Sequence, residues 1–310
     1  MKSFVIEVGP EDDGRTLQAV LHDRAAISHS EARGLIDAGA VHGRTRIKPG
    51  DYVHRVAAGE RYEVRRDEER RYRPRPGRHP SQGFRVLHED RHLLVVSKAA
   101  GLLSVPTDLR PDEDSLMARL LERERERGVR VPALFALHRL DRDTSGLLIV
   151  VRGRRAFEGL QEQLDRRTID RRYIAVVRGT VAADSGRLIS HLVEDPQDLK
   201  VRSTKRAGLG REAITEYEVT ERLPAATVLA IRLLTGRKNQ IRVQMAEAGH
   251  PLMGDRRYGS PSPFIDRTAL HARSLGFVHP VTGRSLSFSQ PPPRDMQRLI
   301  RALRNDSAVC

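Results

Sequence analysis

The chain has a single cysteine, Cys310, and no tryptophan. One thiol can form no internal disulfide and complete no cysteine-based zinc cluster, so a reducing compartment suits the sequence and a cytoplasmic location is expected. Aromatic residues make up only 4% of the chain. That argues for an aliphatic core and against a sheet face that stacks several bases. No apolar run approaches the roughly 18 residues of a membrane span, and no basic amphipathic helix stands out, so no membrane partner is expected. Residues 1–9 alternate apolar and polar side chains, which reads as a strand and lacks the apolar centre of a signal peptide. There is no internal repeat and no glycine-rich phosphate loop. His88 and His92 stand four apart, but no acidic or thiol residue completes a zinc signature, so they read as surface or structural residues and no metal is expected.

What is present in excess is positive charge: 55 Lys and Arg against 41 Asp and Glu, a formal net charge of +14. Such a surplus points to a polyanionic partner, and without membrane features nucleic acid is the better candidate than lipid. The length of 310 residues suggests about two domains. Residues 1–64 read as a small unit. Leu17, Val20 and Leu21 repeat at helical spacing, as do Ala32, Leu35 and Ile36 between Ser30 and Asp37, and short strand-like segments follow around Val41, Ile47, Val53, Val56, Tyr62 and Val64. Residues 65–83 mix Arg65, Arg66, Arg70, Arg71, Arg73, Arg75 and Arg78 with Pro74, Pro76 and Pro80, a semi-stiff cationic linker. Residues 84–303 alternate strands and helices, and 304–310 form a tail. Helices are expected over Ser115–Arg127, with Leu116, Leu120 and Leu121 inward and Glu122, Glu124, Arg125 and Arg127 on a solvated face, and over Phe157–Leu164. Strands are expected at Val86–Leu87, Leu93–Val96, Tyr173–Val177, Ile214–Val219, Val228–Leu234, Leu270–Phe277 and Ser285–Phe288. Hairpin-length and irregular links make this an α+β fold with a mixed, largely antiparallel sheet and flanking helices.

The most informative stretch is His138-Arg139-Leu140-Asp141-Arg142-Asp143-Thr144-Ser145-Gly146. It lies between two apolar runs, Val131–Leu137 and Leu147–Val151, that read as buried strands joined by a tight connection. Asp141 is thereby placed on a short loop held by the core, between two arginines. Turn residues of this kind usually only satisfy backbone groups, and on spacing alone a plain turn is the default. A calcium loop fails because Arg152 occupies the position that needs a bidentate Glu. Ser145 has no neighbouring His and Asp in sequence to make it a hydrolase nucleophile.

The segment resembles the HRLD-x-x-TSG signature of RluA-type RNA pseudouridine synthases. Three further segments match in order. Arg171-Arg172-Tyr173-Ile174-Ala175-Val176-Val177 is similar to K-x-Y-L-A-x-V, and Gly236-Arg237-Lys238-Asn239-Gln240-Ile241-Arg242-Val243 to GR-x-x-QIRV. Pro251–Asp255 through Tyr258-Gly259, then Leu270-His271-Ala272 through His279-Pro280, match the closing segments. The likeness covers roughly residues 84–295, and ordered motifs are more specific than one. Ala99 stands in place of the usual Pro, Arg171 of the usual Lys, and Lys238-Asn239 of a common Thr-His. Residues 1–64 resemble an RNA-binding module known from a ribosomal small-subunit protein, through Ser28-His29-Ser30-Glu31-Ala32, Leu35-Ile36, Gly39 and Val41-His42-Gly43-Arg44. A basic domain that packs on its neighbour is the alternative.

The resemblance implies isomerisation of uridine within RNA: the bond from ribose to a ring nitrogen breaks, the uracil rotates, and the sugar is rejoined through a ring carbon. No atoms enter or leave, so no cofactor is implied. Asp141 is implied as the essential carboxylate, either nucleophile or base, with Arg242 as its ion-pair partner. Arg242 falls on an expected helix capped by Asn239 and ended by Gly249-His250-Pro251. Tyr173 lines the site, its ring against the uracil and its hydroxyl a polar handle or a proton acceptor, Ile241 walls the base pocket, and Arg139 and Arg142 meet RNA phosphates, with bracing of the loop the alternative for one of them. Asp255 and Tyr258 shape the site. The target base should leave its stack to be reached. Ribosomal RNA is the favoured partner, with transfer RNA also used in the family, and a monomer is expected. The rival from another class is a non-catalytic RNA-binding or ribosome-assembly factor on the same fold; a third is hydrolysis of the nucleoside bond, which would release uracil.

Overall fold

A computed structural model describes residues 2–45, 47, 54–67, 72, 83–106, 113–128, 133–206 and 208–305. Val53, most of the Arg/Pro-rich stretch, Val131 and Cys310 lie outside the described residues. The chain divides into two compact units, residues 1–82 with 106–113, and residues 83–105 with 114–310. Among the described residues no helix is long and apolar enough to cross a membrane.

In the first unit, β1 (Lys2–Glu7) pairs antiparallel with β3 (Arg61–Arg66), which also pairs with β2 (Val41–His42). Helices α1 (Leu17–Arg24) and α2 (His29–Asp37) start at Thr16 and Ser28, whose hydroxyls accept from the backbone N–H groups of Ala19 and Glu31. Such caps satisfy donors that the first helical turn leaves unpaired. Leu17, Val20, Leu21, Leu35, Ile36 and Val64 are buried together beneath them. The strands are fewer than the sequence suggests: Ile47 and Val56 are buried but belong to no strand.

The second unit runs β4 (Phe84–Glu89), β5 (Leu93–Lys98), α3 (Leu116–Glu126), β6 (Leu134–Ala136), β7 (Ser145–Arg152), α4 (Arg154–Asp165), β8 (Asp170–Arg178), β9 (Ser185–Glu194), β10 (Val201–Thr204), β11 (Arg211–Leu223), β12 (Ala226–Leu233), α5 (Gln240–Glu247), β13 (Leu270–Val278), β14 (Ser285–Ser289) and α6 (Arg294–Asn305). Its sheet has the order β10-β9-β11-β12-β8-β13-β7-β5-β4, with β14 on β13 and β6 on β7. Only the β13–β7 pairing is parallel, so the sheet is mixed and largely antiparallel, as expected.

Strand β7 shows why this sheet is covered on both faces. All eight of its residues are buried, as an unbroken Leu-Leu-Ile-Val-Val run demands. Leu148 and Val150 face the cluster that holds Leu116 and Leu120 of α3, Tyr173 of β8 and Ile241 of α5. Leu147, Ile149 and Val151 face Ala156 and Leu160 of α4. β8 divides its side chains likewise, with Tyr173, Ala175 and Val177 towards α3 and α5 and Val176 towards Met296 and Leu299 of α6. Strands β9 and β10 and helix α6 go beyond the expected elements. Met296, Leu299, Ile300 and Leu303 do repeat at helical spacing, whereas β9 alternates exposed and half-buried positions and offers little apolar signal.

Helix α3 corrects one expectation. Leu121, expected inward, is 38% exposed, while Glu124, expected on the solvated face, is fully buried. Glu124 lies one helical turn beyond Leu120 and therefore shares its inward face; Leu121 is rotated about 100° away. The buried carboxylate is matched by Arg152 of β7 and by Arg123 at 2.8 Å, and Glu89 joins them by pairing with Arg152 and Arg123, each at 2.7 Å. His88 also finds an acid: Asp90 is 2.9 Å from His88 and 3.2 Å from His279, tying the β4–β5 turn to the end of β13. Breaking a buried pair by removing one partner costs about 3–5 kcal/mol. Glu124→Gln should therefore lose about that much in urea unfolding, whereas Glu122→Gln, whose carboxylate is exposed, should stay within about 0.5 kcal/mol of the parent.

Candidate active site

The segment from Leu137 to Thr144 leaves β6 and enters β7, and its backbone is pinned nearly residue by residue. The Ser104 hydroxyl donates to the carbonyl of Leu140 at 2.7 Å and accepts from its N–H at 2.9 Å, while the Leu140 side chain is buried in the core. The carbonyl of Arg142 accepts from Lys98 Nζ at 3.0 Å and from the Gly101 N–H at 2.9 Å. Arg267, itself held bidentately by Asp295, donates to the carbonyl of Asp143 at 3.2 Å. The Thr144 N–H closes the turn onto the Asp141 carbonyl at 3.1 Å. Gly146 follows because β7 and β13 meet there: its φ is +118°, and a Cβ would stand 2.2 Å from the carbonyl oxygen of Ala272. A loop fixed in this way aims the Asp141 side chain while leaving it 24% exposed.

Arg242 reaches Asp141 from α5, with Nη1 3.1 Å from Oδ2. The expected ion pair therefore forms, but Arg242 has a stronger hold on Asp255. Its Nε and Nη2 donate to the two Asp255 oxygens at 2.7 and 2.8 Å, and Asp255 is completely buried. Asn239 Oδ1 accepts from Nη1 at 3.1 Å, and the guanidinium carbon lies 5.1 Å from the centre of the Tyr258 ring. Burial works against the Arg242 charge, yet Asp255 and Asp141 together hold it above its ordinary value. Burial likewise pushes the Asp255 carboxyl up, but Arg242 and the N–H groups of Tyr258 and Arg257 outweigh it and hold it below the usual range.

Asn239 corrects an expectation. It precedes α5 in the left-handed region, at φ 54°, and its side chain makes no cap; its oxygen goes to Arg242 and its amide donates to the Tyr258 hydroxyl at 3.1 Å. The helix is fixed by buried amides. Gln240 Nε2 donates to Thr215 Oγ1 at 2.8 Å, Thr215 in turn donates to Gln244 Oε1 at 2.6 Å, and Gln244 Nε2 reaches the Ala213 carbonyl at 3.0 Å. These bonds tie α5 to β11 and so set where Arg242 points.

The pattern of the RNA pseudouridylate synthase family matches residues 92–247, a span that holds both Asp141 and Arg242. The chain belongs to this family. It is 41% identical over 237 residues to the ribosomal large subunit pseudouridine synthase D of Xanthomonas campestris pv. campestris, covering 72% of this chain and 70% of that protein. It is 38% identical over 229 residues to the uncharacterized RNA pseudouridine synthase YlyB of Bacillus subtilis, covering 71% and 73% respectively. In fold it is similar to human RNA pseudouridylate synthase domain containing 4, with a TM-score of 0.59 at 22% identity over 71% of this chain and 92% of that one.

The other residues expected at the site lie near this pair or flank it in sequence. Tyr173 and Ile241, 6% and 3% exposed, belong to the same buried cluster as Leu140. Burial raises the Tyr173 phenol above its usual value, Arg171 opposing and Asp141 adding to the rise. Arg139 and Arg142 are exposed on either side of Asp141. Sequence proximity missed the neighbour of Ser145: the parallel register of β7 and β13 sets it opposite His271, with Oγ 2.9 Å from Nδ1. Among the described residues no carboxylate hydrogen-bonds His271 Nε2, and burial pulls the ring down to about 4.

Lys98 was also missed, since a lysine in a strand ordinarily reads as surface. It is 1% exposed, and Nζ donates to the carbonyls of Leu102 at 2.6 Å, Ala99 at 2.9 Å and Arg142 at 3.0 Å. Burial pulls its ammonium down to about 7, with the charges of Asp143 and Asp141 opposing the shift. An unfolded lysine titrates near 10.4. Between the two values the unfolded chain binds the extra proton, so the lysine contributes stability that increases as pH rises from about 7 towards 10. The stability of the parent relative to Lys98→Met, from urea unfolding across that window, should rise with pH and level off above it.

Proposed function

We propose that this synthase isomerises specific uridines of large-subunit ribosomal RNA to pseudouridine, with Asp141 as the reacting carboxylate. The Asp141–Arg242 contact at 3.1 Å, on a loop whose backbone is tied at Leu140, Asp141, Arg142 and Asp143, is the observation that carries this reading. Arg242 touches Asp141 with one nitrogen only, at Oδ2, and the second carboxylate oxygen is left for chemistry. In the reaction the bond from C1′ to N1 of uracil breaks, the ring turns, C1′ bonds to C5, and the proton from C5 is balanced by one gained at N1. Asp141 serves either as nucleophile at C1′ or as the base and electrostatic partner of this exchange. Every atom of the substrate remains in the product, so the reaction needs no co-reactant.

Tyr173 and Ile241 supply the wall against which the displaced uracil packs. With its phenol held neutral by burial, Tyr173 fits a ring surface and polar handle better than a base. Arg139 and Arg142 flank Asp141 and meet backbone phosphates. The first unit, with its two helices and small sheet, adds contact area for structured RNA, with the Arg/Pro-rich residues 65–83 as a cationic strap. Ribosomal RNA is favoured over transfer RNA because the most similar relatives quoted above include a protein named for the large ribosomal subunit. The enzyme acts as a monomer in the cytoplasm, where that RNA is made and folded.

The test is incubation with an unmodified large-subunit ribosomal RNA transcript, followed by mapping of pseudouridine. The parent should convert discrete uridines without releasing uracil. Asp141→Asn should give no product while binding the transcript within about threefold of the parent, because a carboxylate does not attract RNA. Equal product from Asp141→Asn would refute the assigned role. Binding without product from the parent would favour a non-catalytic factor, and free uracil would mean hydrolysis.

A further inference from the structure

Arg167, Arg171, Arg211 and Arg237 gather around the start of β8, with Glu212 among them. Arg171 is the second residue of β8, on the same face as Tyr173, and is 5% exposed. Among the described residues no hydrogen bond or ion pair engages its guanidinium, and its Nε is buried without a partner. The group lies against Gly236, where a Cβ would stand 2.7 Å from Arg171 Nη1. The next residue, Arg237, donates Nε to the backbone carbonyl of Glu212 at 2.9 Å. Arg211 precedes Glu212 in β11, and the Glu212 carboxylate is already paired with Arg167 at 2.7 Å. Arg171 and Arg237 are thus left without a carboxylate partner among the described residues. Burial, then Arg211 and Arg167, pull Arg237 below its ordinary value, Glu212 opposing and Arg171 adding.

A buried guanidinium without an anion is costly to the fold, and a sequence gains nothing from it unless something else supplies the counter-charge. On one side of it stands His138, three residues before Asp141. Both ring nitrogens of His138 are buried without partners, and Arg171 acts on its charge. The unbalanced charge thus borders the loop that carries Asp141, about 7 Å along the strand from Tyr173.

We infer that Arg171 and Arg237, on either side of the Gly236 backbone, form a binding site for an RNA phosphodiester adjacent to the target uridine. Arg167 and Arg211 extend its positive surface outward. The assignment to RNA rests on the function proposed above; the need for an anion rests on the charges themselves. A phosphodiester presents two unbridged oxygens, which match the planar fork of a guanidinium. The site would hold the backbone in place while the base leaves its stack, which is positioning without sequence information.

The full-length protein should be titrated with an unmodified large-subunit ribosomal RNA transcript across a salt series, alongside kcat/KM for pseudouridine formation. Arg171→Gln and Arg237→Gln should each weaken binding roughly tenfold and flatten the dependence of log affinity on log salt by about one. Arg171→Lys keeps the charge and should restore most of the slope. Arg171→Gln should melt no lower than the parent, since it removes an uncompensated charge. Arg154→Gln on α4, an exposed arginine paired with Glu158, should change neither binding nor slope. Unchanged affinity and slope in both Gln variants, beside normal pseudouridine formation by the parent, would overturn the phosphate site and leave the isomerase intact. Slope losses in both variants beside a parent that makes no pseudouridine would support the site and refute the isomerase. Should Arg171→Gln fail to fold, Arg237→Gln at the half-buried rim decides alone, and an unchanged slope there overturns the site.

Discussion

Everything in the catalytic unit is arranged around one guanidinium, that of Arg242, held between two carboxylates of unequal burial. Asp255 is sealed from solvent and takes the bidentate contact; Asp141 is partly exposed and takes a single nitrogen. The inequality matters. A bidentate grip on Asp141 would occupy both of its oxygens, whereas a grip on Asp255 fixes the arginine and leaves Asp141 with an oxygen to spare. Charges this close attract strongly in a site poorly screened by water, and the penalty for burying them is offset by the number of directed hydrogen bonds. The remaining architecture keeps the two ends in register: the amide network of Gln240, Thr215 and Gln244 sets α5 on the sheet, and the bonds from Lys98, Gly101, Ser104 and Arg267 hold the opposite loop.

The fold was legible where a signal is local. The unbroken apolar run at Leu147–Val151 could only be a strand covered on both faces, and the Ser115 hydroxyl starts α3 as its position suggests. It was illegible where the partner is distant. Arg242 lies 101 residues from Asp141, and the pairing was reached through motif order rather than through any property of either residue alone. Ser145 and His271 are 126 residues apart and meet only because β7 and β13 run parallel at that point. Lys98 drew no reading and Glu124 was placed on the wrong face for a shared reason. A charged side chain in a short window carries no sign that carbonyls or arginines from other segments will enclose it. Asn239 shows a third kind of miss, since its residue type suits a helix cap but the arginine one turn on claims its oxygen.

The distribution of charge follows the same division of labour. Buried arginines that the fold itself uses, Arg152 and Arg242, are matched by carboxylates. Arg171 is not, and the exposed Arg139 and Arg142 stand at the mouth of the loop. The surplus that composition reports as a net +14 thus includes one buried guanidinium, that of Arg171, that no carboxylate pairs among the described residues. The pinned loop presents one carboxylate rigidly, with its counter-ion supplied from elsewhere in the chain.

The most direct measurement is a double-mutant cycle on single-turnover pseudouridine formation, combining Arg242→Gln with Asp255→Asn. If Asp255 acts by holding Arg242 against Asp141, the double variant should be no slower than Arg242→Gln alone, a strongly non-additive result. Losses that simply multiply would contradict the account, because the two groups would then act on the reaction independently.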